Sequence, residues 1–598
     1  MKIMKKSGLA LVLVALAALI GTLFINSYML TRDVVEQANF SDFRKQYFLK
    51  AASTMIDREY DDKVSFVSDL KRSFNQANTH IKETLSIPRD DIDRLVKAAV
   101  NEGTIDYNLK LAEKLYDPGT ETAQYRIQGI NDYTGWIADR NYDNKEKLKH
   151  DITHSLENFN ADIIERKGFK DYDIETYVLT FTNESTRGTV ADQKTLWFLL
   201  TFILAIAGGI LFAIPKFFEG KPGIKNNGIY HHPMNNRGWQ GILLGAFLIA
   251  FYVVLYFYPV WFSEWIIISD VAAKSLFGRE AGRWFLYGLI YTLAIAVMGI
   301  RFLTKYRHNR YQQYRTWSVI FFQLVFAFTL PQILYALNLP EVDLKNIWPL
   351  DYSFFFDYRV DNYVESGAMG ISMLIWGIAL IVLGVPLFTY FFGKRWYCSW
   401  VCGCGGLAET AGDPFRQLSD KRLIAWQIER WLVHGVLVFA VVMTVWVLYT
   451  TLSDTGRFFG LSSYKMREIY GFAIGSVFAG VVGTGFYPFM GNRVWCRFGC
   501  PLAAYLGLFQ RFKSRFRITT NGGQCISCGN CSTYCEMGID VRWYAQRGQN
   551  IIRSSCVGCG ICAAVCPRGV LKLENKKENG RFGVPVLTGN DAIMKIEK

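Results

Sequence analysis

No cysteine precedes Cys398, and all thirteen lie between Cys398 and Cys566. That distribution excludes a disulfide framework for everything before them. Histidine is scarce too, at seven. Only His434 falls in an apolar run, and a membrane b-type haem usually needs two such histidines. His231 and His232 lie in a polar loop, and no Cys-x-x-Cys-His occurs, so haem is not expected. Also missing are a Walker loop, a dinucleotide-binding glycine fingerprint after a strand, and a zinc-protease motif. The net charge of +14 does not call for nucleic acid, because much of it sits where lysines and arginines face anionic headgroups. Arg511 to Arg517, with Phe512 and Phe516 interleaved, reads as a strip along a membrane surface.

Long apolar runs are abundant. Hydrophobic residues make up 51% of the chain, and eight runs approach the roughly 20 residues needed to cross a bilayer: Leu9–Leu30, Leu196–Ile214, Gly241–Phe262, Trp284–Leu303, Trp317–Leu337, Gly370–Phe391, Trp431–Leu452 and Gly471–Met490. The first follows Lys2, Lys5 and Lys6 without a convincing small-residue cleavage site, so residues 1–30 are expected to be an uncleaved anchor. Basic loops follow the even-numbered spans: Lys216, Lys221, Lys225 and Arg237 against Glu219; Lys305 to Arg315; Lys394, Arg395 and Arg416; and Arg493 to Arg517. Acidic residues, among them Glu341, Asp343, Asp351 and Asp357, dominate the loop between spans five and six. The positive-inside rule then puts the N-terminus and every cysteine in the cytoplasm, where thiols stay reduced. The location expected is a bacterial inner membrane, crossed many times.

Residues 31–195 form one large segment facing outward, charged and free of cysteine. Val35, Phe40, Phe43, Tyr47 and Leu49 begin an amphipathic stretch. Ile87-Pro-Arg-Asp-Asp-Ile92 has acids where a first helical turn wants them, and Ile92, Leu95, Val96 and Ala99 recur at helical spacing. Tyr177–Thr182 alternates like a short strand. A mostly helical domain with little sheet is expected. Glu264, Asp270 and Lys274, just after span three, read as an amphipathic interfacial segment, with a quinone or proton-linked site as the alternative. Tyr252, Tyr256, Tyr258, Trp261 and Trp265 fit an interfacial aromatic belt.

Eight cysteines form two consecutive runs, Cys525-x2-Cys528-x2-Cys531-x3-Cys535 and Cys556-x2-Cys559-x2-Cys562-x3-Cys566-Pro567. This is the spacing of a two-cluster ferredoxin, in which three cysteines of one run hold a [4Fe–4S] cube and the fourth serves the other cube. Cys525, Cys528, Cys531 and Cys566 are thus expected to hold one cluster, and Cys556, Cys559, Cys562 and Cys535 the other.

Ahead of them lies an internal repeat. Gly393-Lys-Arg-Trp-Tyr-Cys398-Ser-Trp-Val-Cys402-Gly403 parallels Gly491-Asn-Arg-Val-Trp-Cys496-Arg-Phe-Gly-Cys500-Pro501. On a helix, cysteines four apart share a face. Two facing pairs would supply four thiolates, enough for a further cluster or a tetrahedral metal site. Three readings stay open for Cys398, Cys402, Cys496 and Cys500: a third iron–sulfur cluster, redox thiols or a soft-metal site for copper(I), or packing. Cys404 has no counterpart in the second copy and is either an alternative ligand or a bystander.

Spans that end in Cys-x3-Cys(-Pro) motifs before a dicluster ferredoxin resemble the membrane polyferredoxin family of NosR-, NapH- and CcoG-like proteins. The resemblance covers roughly residues 370–570. It implies cluster ligation by the eight cysteines of the two runs and matches the repeat to the family's paired membrane-side motifs. Gly403 and Glu536 stand where that family usually has proline. NosR-like members carry flavin on an outer-domain threonine, but Ser185-Thr-Arg-Gly-Thr189 is too weak a signature for FMN to be expected here.

The expected fold is therefore mainly α: an anchor (1–30), an outer helical domain (31–195), spans two to six (196–393), a repeat region with spans seven and eight (394–517), an α+β dicluster ferredoxin domain (518–575) and a tail (576–598). The expected function is electron transfer from a cytoplasmic donor, a ferredoxin or flavoprotein, to a membrane or extracytoplasmic acceptor. A metalloenzyme assembly factor that handles copper and a redox-sensing regulator are the alternatives.

Overall fold

In the computed structural model the apolar runs are helices, the only open-ended structure that satisfies every backbone polar group without water. The model describes residues 2–575 except 102–103, 106, 139, 141, 143, 219–231, 454–456 and 459–460. Glu219, Lys221, Lys225, His231 and the 576–598 tail lie outside the described residues. Among those described, eight helices are long and apolar enough to cross a membrane: Ile3–Phe24, Lys194–Phe218, Trp239–Phe257, Arg283–Lys305, Arg310–Ala336, Gly367–Phe392, Leu423–Leu452 and Ser463–Gly485.

Their number agrees with the sequence, and several ends differ. The seventh begins at Leu423 because Gln427, Glu429 and Arg430 continue the helix that the apolar run starts only later. The eighth stops at Gly485, before the short turn Tyr487–Met490; Pro488, lacking an N–H, starts a helix more readily than it continues one. Wide π-type turns interrupt the helices at Phe322–Thr329 and Leu380–Gly384. Pro331 and Pro386 follow directly, and the widened turn accommodates a residue that cannot donate the usual bond.

The chain divides into two compact units. One comprises residues 20–194 and 260–268. Its long helices Lys63–Leu85, Glu121–Ala138, Lys145–Lys167 and Asp171–Ser185 pack around Phe40, Phe48, Phe74, Phe169 and Phe181, all buried. Phe48 and Phe74 have ring centroids 4.4 Å apart. Asp62 caps the first of these helices by accepting from Ser65 N at 2.8 Å. Arg89–Ala98 starts with Asp90 and Asp91 in its first turn, as its sequence pattern requires. Tyr177–Thr182 is helical and not a strand. Its alternation is accidental, and Ile174, Val178 and Phe181 form the buried stripe at helical spacing. The sheet is small: Ser27–Met29 pairs antiparallel with Glu59–Tyr60 on one side and Thr186–Arg187 on the other.

Glu264 is not on a surface. It is fully buried in this unit and paired with Lys63, while Tyr28 Oη donates to it at 2.5 Å and Lys63 donates to Ser263 Oγ at 2.8 Å. A buried carboxylate needs such partners, and they sit far upstream in the chain, invisible to local pattern.

The other unit comprises residues 1–19, 195–259 and 269–598. Here Asp270 accepts from Ala281 N at 2.7 Å, and exposed Lys274 pairs with Glu280 at 3.0 Å. At its C-terminal end Arg517–Thr520 pairs antiparallel with Leu571–Glu574, Arg517 opposite Glu574. That ribbon ties together the two ends of the segment holding the cysteine runs.

Candidate functional site

The two cysteine runs fold alike. Gly529 (φ 79°) precedes the short helix Asn530–Thr533, and Gly560 (φ 74°) precedes Ile561–Ala564. After each short helix the chain reaches the last cysteine of the run. Cys525, Cys528, Cys531 and Cys566 line one cavity, together with Ile526, Val570 and Leu571 and with Arg542 and Arg568. Cys535, Cys556, Cys559 and Cys562 line a second, with Ile518, Met537, Ile539 and Val557. Each cavity therefore takes three cysteines from one run and the last cysteine of the other. Four thiols in a mostly apolar wall are the donor set that a [4Fe–4S] cube requires. Among the described residues no three His, Cys, Asp or Glu side chains converge closely enough to hold a single metal ion. The first cavity lies nearer solvent, since Cys528 is exposed. In the second, burial pushes the Cys556 thiol up to about 11.

The repeat is a repeat in three dimensions. Gly393 (φ 68°, ψ 176°) and Gly491 (φ 92°, ψ 174°) end the preceding helices in the same left-handed conformation, which a side chain would strain. A Cβ on Gly393 would also meet Gln510 and Phe516 at 2.7 Å, and one on Gly491 would meet Ser419 Oγ at 2.3 Å. Cys402 N donates to Tyr397 O at 2.8 Å, and Cys500 N to Trp495 O at 2.9 Å.

Neither cysteine pair shares one continuous helix. Cys398 ends Arg395–Cys398 and Cys496 lies in the wide turn Trp495–Gly499. Cys402 and Cys500 are extended residues at the starts of Gly403–Glu409 and Pro501–Lys513. The extended second cysteine permits the next helix to leave in a new direction, and Gly403 and Pro501 occupy the same first helical position; at Gly403 a Cβ would meet Gln323 Oε1 at 2.8 Å. Cys398, Cys402, Cys496 and Cys500 are all buried in one cluster, with Cys404 packed against it. Burial pushes the Cys398 thiol up to about 12, and Cys500 also rises well above its ordinary range. Cys404 donates to Cys402, which lowers the latter.

Charge knits the repeat to the ferredoxin segment. Arg315, Arg416 and Arg493 look in the sequence like headgroup-facing loop residues, yet they are among the most buried side chains of the chain. Arg493 pairs with Glu409 at 2.5 Å and with Glu536 at 3.1 Å, and its Nη1 donates to Cys398 O at 3.2 Å and Cys496 Sγ at 3.5 Å. Arg315 pairs with Glu409 at 2.6 Å and donates to Cys559 O at 2.7 Å. Arg416 pairs with Glu536 and with Asp413 at 2.8 Å, and Lys305 reaches Asp413 at 2.6 Å. Burial alone would raise Asp413 and Glu536, but the surrounding cations hold both carboxyls below their ordinary range. Glu536, the residue in place of a proline, is thus an anion clamped between two arginines. The sequence did signal it: a charged residue directly after the last cysteine of a run, where proline is usual.

Comparison with known proteins assigns these regions. Residues 374–422 and 471–519 match the family described as a 4Fe-4S binding domain, so both copies of the repeat are covered. Residues 524–571 match a 4Fe-4S dicluster domain. The chain is 27% identical over 173 residues to the "Putative electron transport protein YccM" of Escherichia coli strain K12, covering 27% of this chain and 46% of that protein. It is 28% identical over 149 residues to the "Methylamine utilization ferredoxin-type protein MauN" of Methylobacillus flagellatus, covering 25% and 50%. An uncharacterized protein of Methanocaldococcus jannaschii, MJ0750, is 28% identical over 189 residues, covering 30% and 72%. The chain thus spans about half the length of the first two relatives. No solved structure matches. These matches are consistent with a membrane polyferredoxin-like family, and they identify a multi-pass iron–sulfur protein related to electron-transport proteins.

Proposed function

We propose that this protein carries electrons between a cytoplasmic donor and a membrane or extracytoplasmic acceptor, using two [4Fe–4S] clusters and a third cluster at the repeat. The observation that carries this reading is the sorting of eight cysteines into two four-cysteine cavities, with Cys398, Cys402, Cys496 and Cys500 buried close enough to act on one another and half-buried Cys404 beside them. Cys525, Cys528, Cys531 and Cys566 would hold the first cluster, and Cys535, Cys556, Cys559 and Cys562 the second. Cys398, Cys402, Cys496 and Cys500 would hold the third. Such clusters, when bound, supply one-electron oxidation and reduction.

The chain's own residues do the rest. Buried thiols raised by desolvation stay protonated until a cation replaces the proton. Arg493 and Arg315, bonded to the backbone of Cys398 and Cys559, put positive charge beside the ligands, where it offsets thiolate charge. Exposed Cys528 favours the first cavity as the place where a soluble donor docks. The basic loops favour a cytoplasmic position for this end of the chain.

A second reading keeps the repeat as redox thiols or a copper(I) site, and Cys404, hydrogen-bonded to Cys402, favours it by adding a fifth thiol. Iron and acid-labile sulfide on anaerobically purified protein, with EPR of the reduced state, separates the two. About twelve irons per chain, falling to about eight when Cys398, Cys402, Cys496 and Cys500 become serine, supports the third cluster. About eight from the start removes it and favours the thiol or copper site.

A further inference from the structure

A narrow pocket separates helix Leu423–Leu452 from helix Pro501–Lys513, lined by Lys394, Glu429, Arg430, His434, Arg497 and Arg511. Three of these are already satisfied. Arg497 pairs with Glu429 at 2.7 Å, and His434 Nδ1 donates to Arg430 O at 2.7 Å. Three cations are left over. Lys394, Arg430 and Arg511 have no carboxylate partner among the described residues. Arg430 and Arg511 are exposed, but Lys394 is only 2% exposed. The Lys394 charge also acts on the Cys398 and Cys556 thiols, so the charge left uncompensated at the pocket is chiefly that of Arg430 and Arg511.

Next to the pocket, and sharing Trp426 and Arg430 with it, runs an open trench along helix Leu423–Leu452. Ile428, Trp431, Leu432, Val436 and Phe439 line it. Its walls are mostly apolar, with Gln427 and Arg430 at the polar edge, and Trp431 is 75% exposed. That helix is one of the eight able to cross a membrane, so the trench faces acyl chains and the pocket sits at headgroup level beside its polar end. A charged head joined to an apolar tail fits both features together. A free inorganic anion leaves the trench unexplained, and a zwitterionic or neutral lipid leaves the charge of Arg430 and Arg511 uncompensated.

We propose that the pocket binds the phosphate of one anionic phospholipid on Lys394, Arg430 and Arg511, with an acyl chain along the Trp431–Phe439 trench. Basic pockets between transmembrane helices are suited to such headgroups. The site rests on helix Leu423–Leu452 crossing the membrane, and it shares Lys394 and the Cys496 wall with the proposed repeat centre. The bound lipid would place its phosphate against the wall that also contains Cys496, linking the lipid composition of the membrane to the repeat.

The test uses the full chain in nanodiscs of equal phosphatidylglycerol and phosphatidylcholine, transferred to detergent and weighed by native mass spectrometry. One phosphatidylglycerol retained per chain, in preference to phosphatidylcholine, is the expected result. Arg430→Gln with Arg511→Gln should lower that retention by about tenfold or more, with iron content unchanged. Equal retention of the two lipids, no retained lipid, a quinone in its place, or complete displacement by inorganic phosphate overturns the proposal. Should the double variant fail to fold, the lipid preference of the unaltered protein decides the matter alone, and Trp431→Ser tests the trench separately by weakening retention without touching a charge.

Discussion

The two copies of the cysteine repeat share a backbone and differ in what their charges do. In the first copy Arg395 is half-buried, lies over the Phe516 ring at 4.6 Å and donates to Asn575 Oδ1 at 3.0 Å. Its equivalent, Arg493, is buried at 1% exposure between Glu409 and Glu536 and touches the cysteine site of both copies. The neighbouring position is reversed: the first copy has Lys394 without a carboxylate, the second has Asn492, which donates to Ala408 O at 2.6 Å. Duplication supplied the turn, and divergence assigned one copy to hold the assembly together and the other to face the second ferredoxin cavity.

The comparison breaks most severely at Arg493. Arg493→Met should leave Glu409 and Glu536 short of a cation inside the protein, and Glu536→Gln should leave Arg416 and Arg493 short of an anion. Removing one partner of a buried pair costs about 3–5 kcal/mol, so both variants should lose most of their folded yield or melt many degrees lower in detergent. Unchanged melting would mean that water reaches the network. Glu536→Pro, which makes the segment look more like its resemblance, should be at least as damaging as the glutamine.

Next in size is the loss of a cluster ligand. With the proposed third cluster at the repeat, Cys496→Ser should remove about four irons, whereas Cys404→Ser, which alters a residue with no counterpart in the second copy, should remove none. Equal losses would give Cys404 a ligand's role. Smaller again is Arg395→Met. It gives up a cation–π contact and one hydrogen bond at a half-exposed site, about 1 kcal/mol, measurable as a modest fall in melting temperature beside the collapse expected for Arg493→Met.

How much of this was legible beforehand follows from what each feature depends on. The spans and the two cysteine runs rest on local pattern, apolar length and fixed spacing, so they could be read directly, as could the duplication. The swap of Cys535 and Cys566 between cavities came from the motif as well. The fate of Arg315, Arg416 and Arg493 could not be read, because whether a loop arginine meets headgroups or a buried carboxylate depends on partners such as Glu409 and Glu536, 84 and 43 positions from Arg493 along the chain. Glu264 and Lys63 illustrate the same limit in the other unit, 201 residues apart. Tyr177–Thr182 failed for another reason: six residues are too few to tell period 2 from period 3.6 when aromatic and β-branched residues alternate by chance.

The finest test of the comparison is Lys394→Asn, which gives the first copy the second copy's residue. Burial raises the thiols of Cys398 and Cys556, and the Lys394 charge opposes that rise at both, so one ammonium acts on the repeat and on the second ferredoxin cavity. An added electron makes a cluster more negative, and a nearby cation favours that state. With the three proposed clusters bound, deleting the cation should therefore lower the midpoint potentials of the centres at Cys398 and Cys556, on the order of tens of millivolts at an effective dielectric of ~20. The centre at Cys525, Cys528, Cys531 and Cys566 should not move, and Lys394→Arg should keep the native potentials. An EPR-monitored redox titration resolves these cases. A shift confined to two of three signals and rescued by arginine is an effect of charge, because a general loosening of the fold would disturb all three and would not be repaired by a bulkier cation.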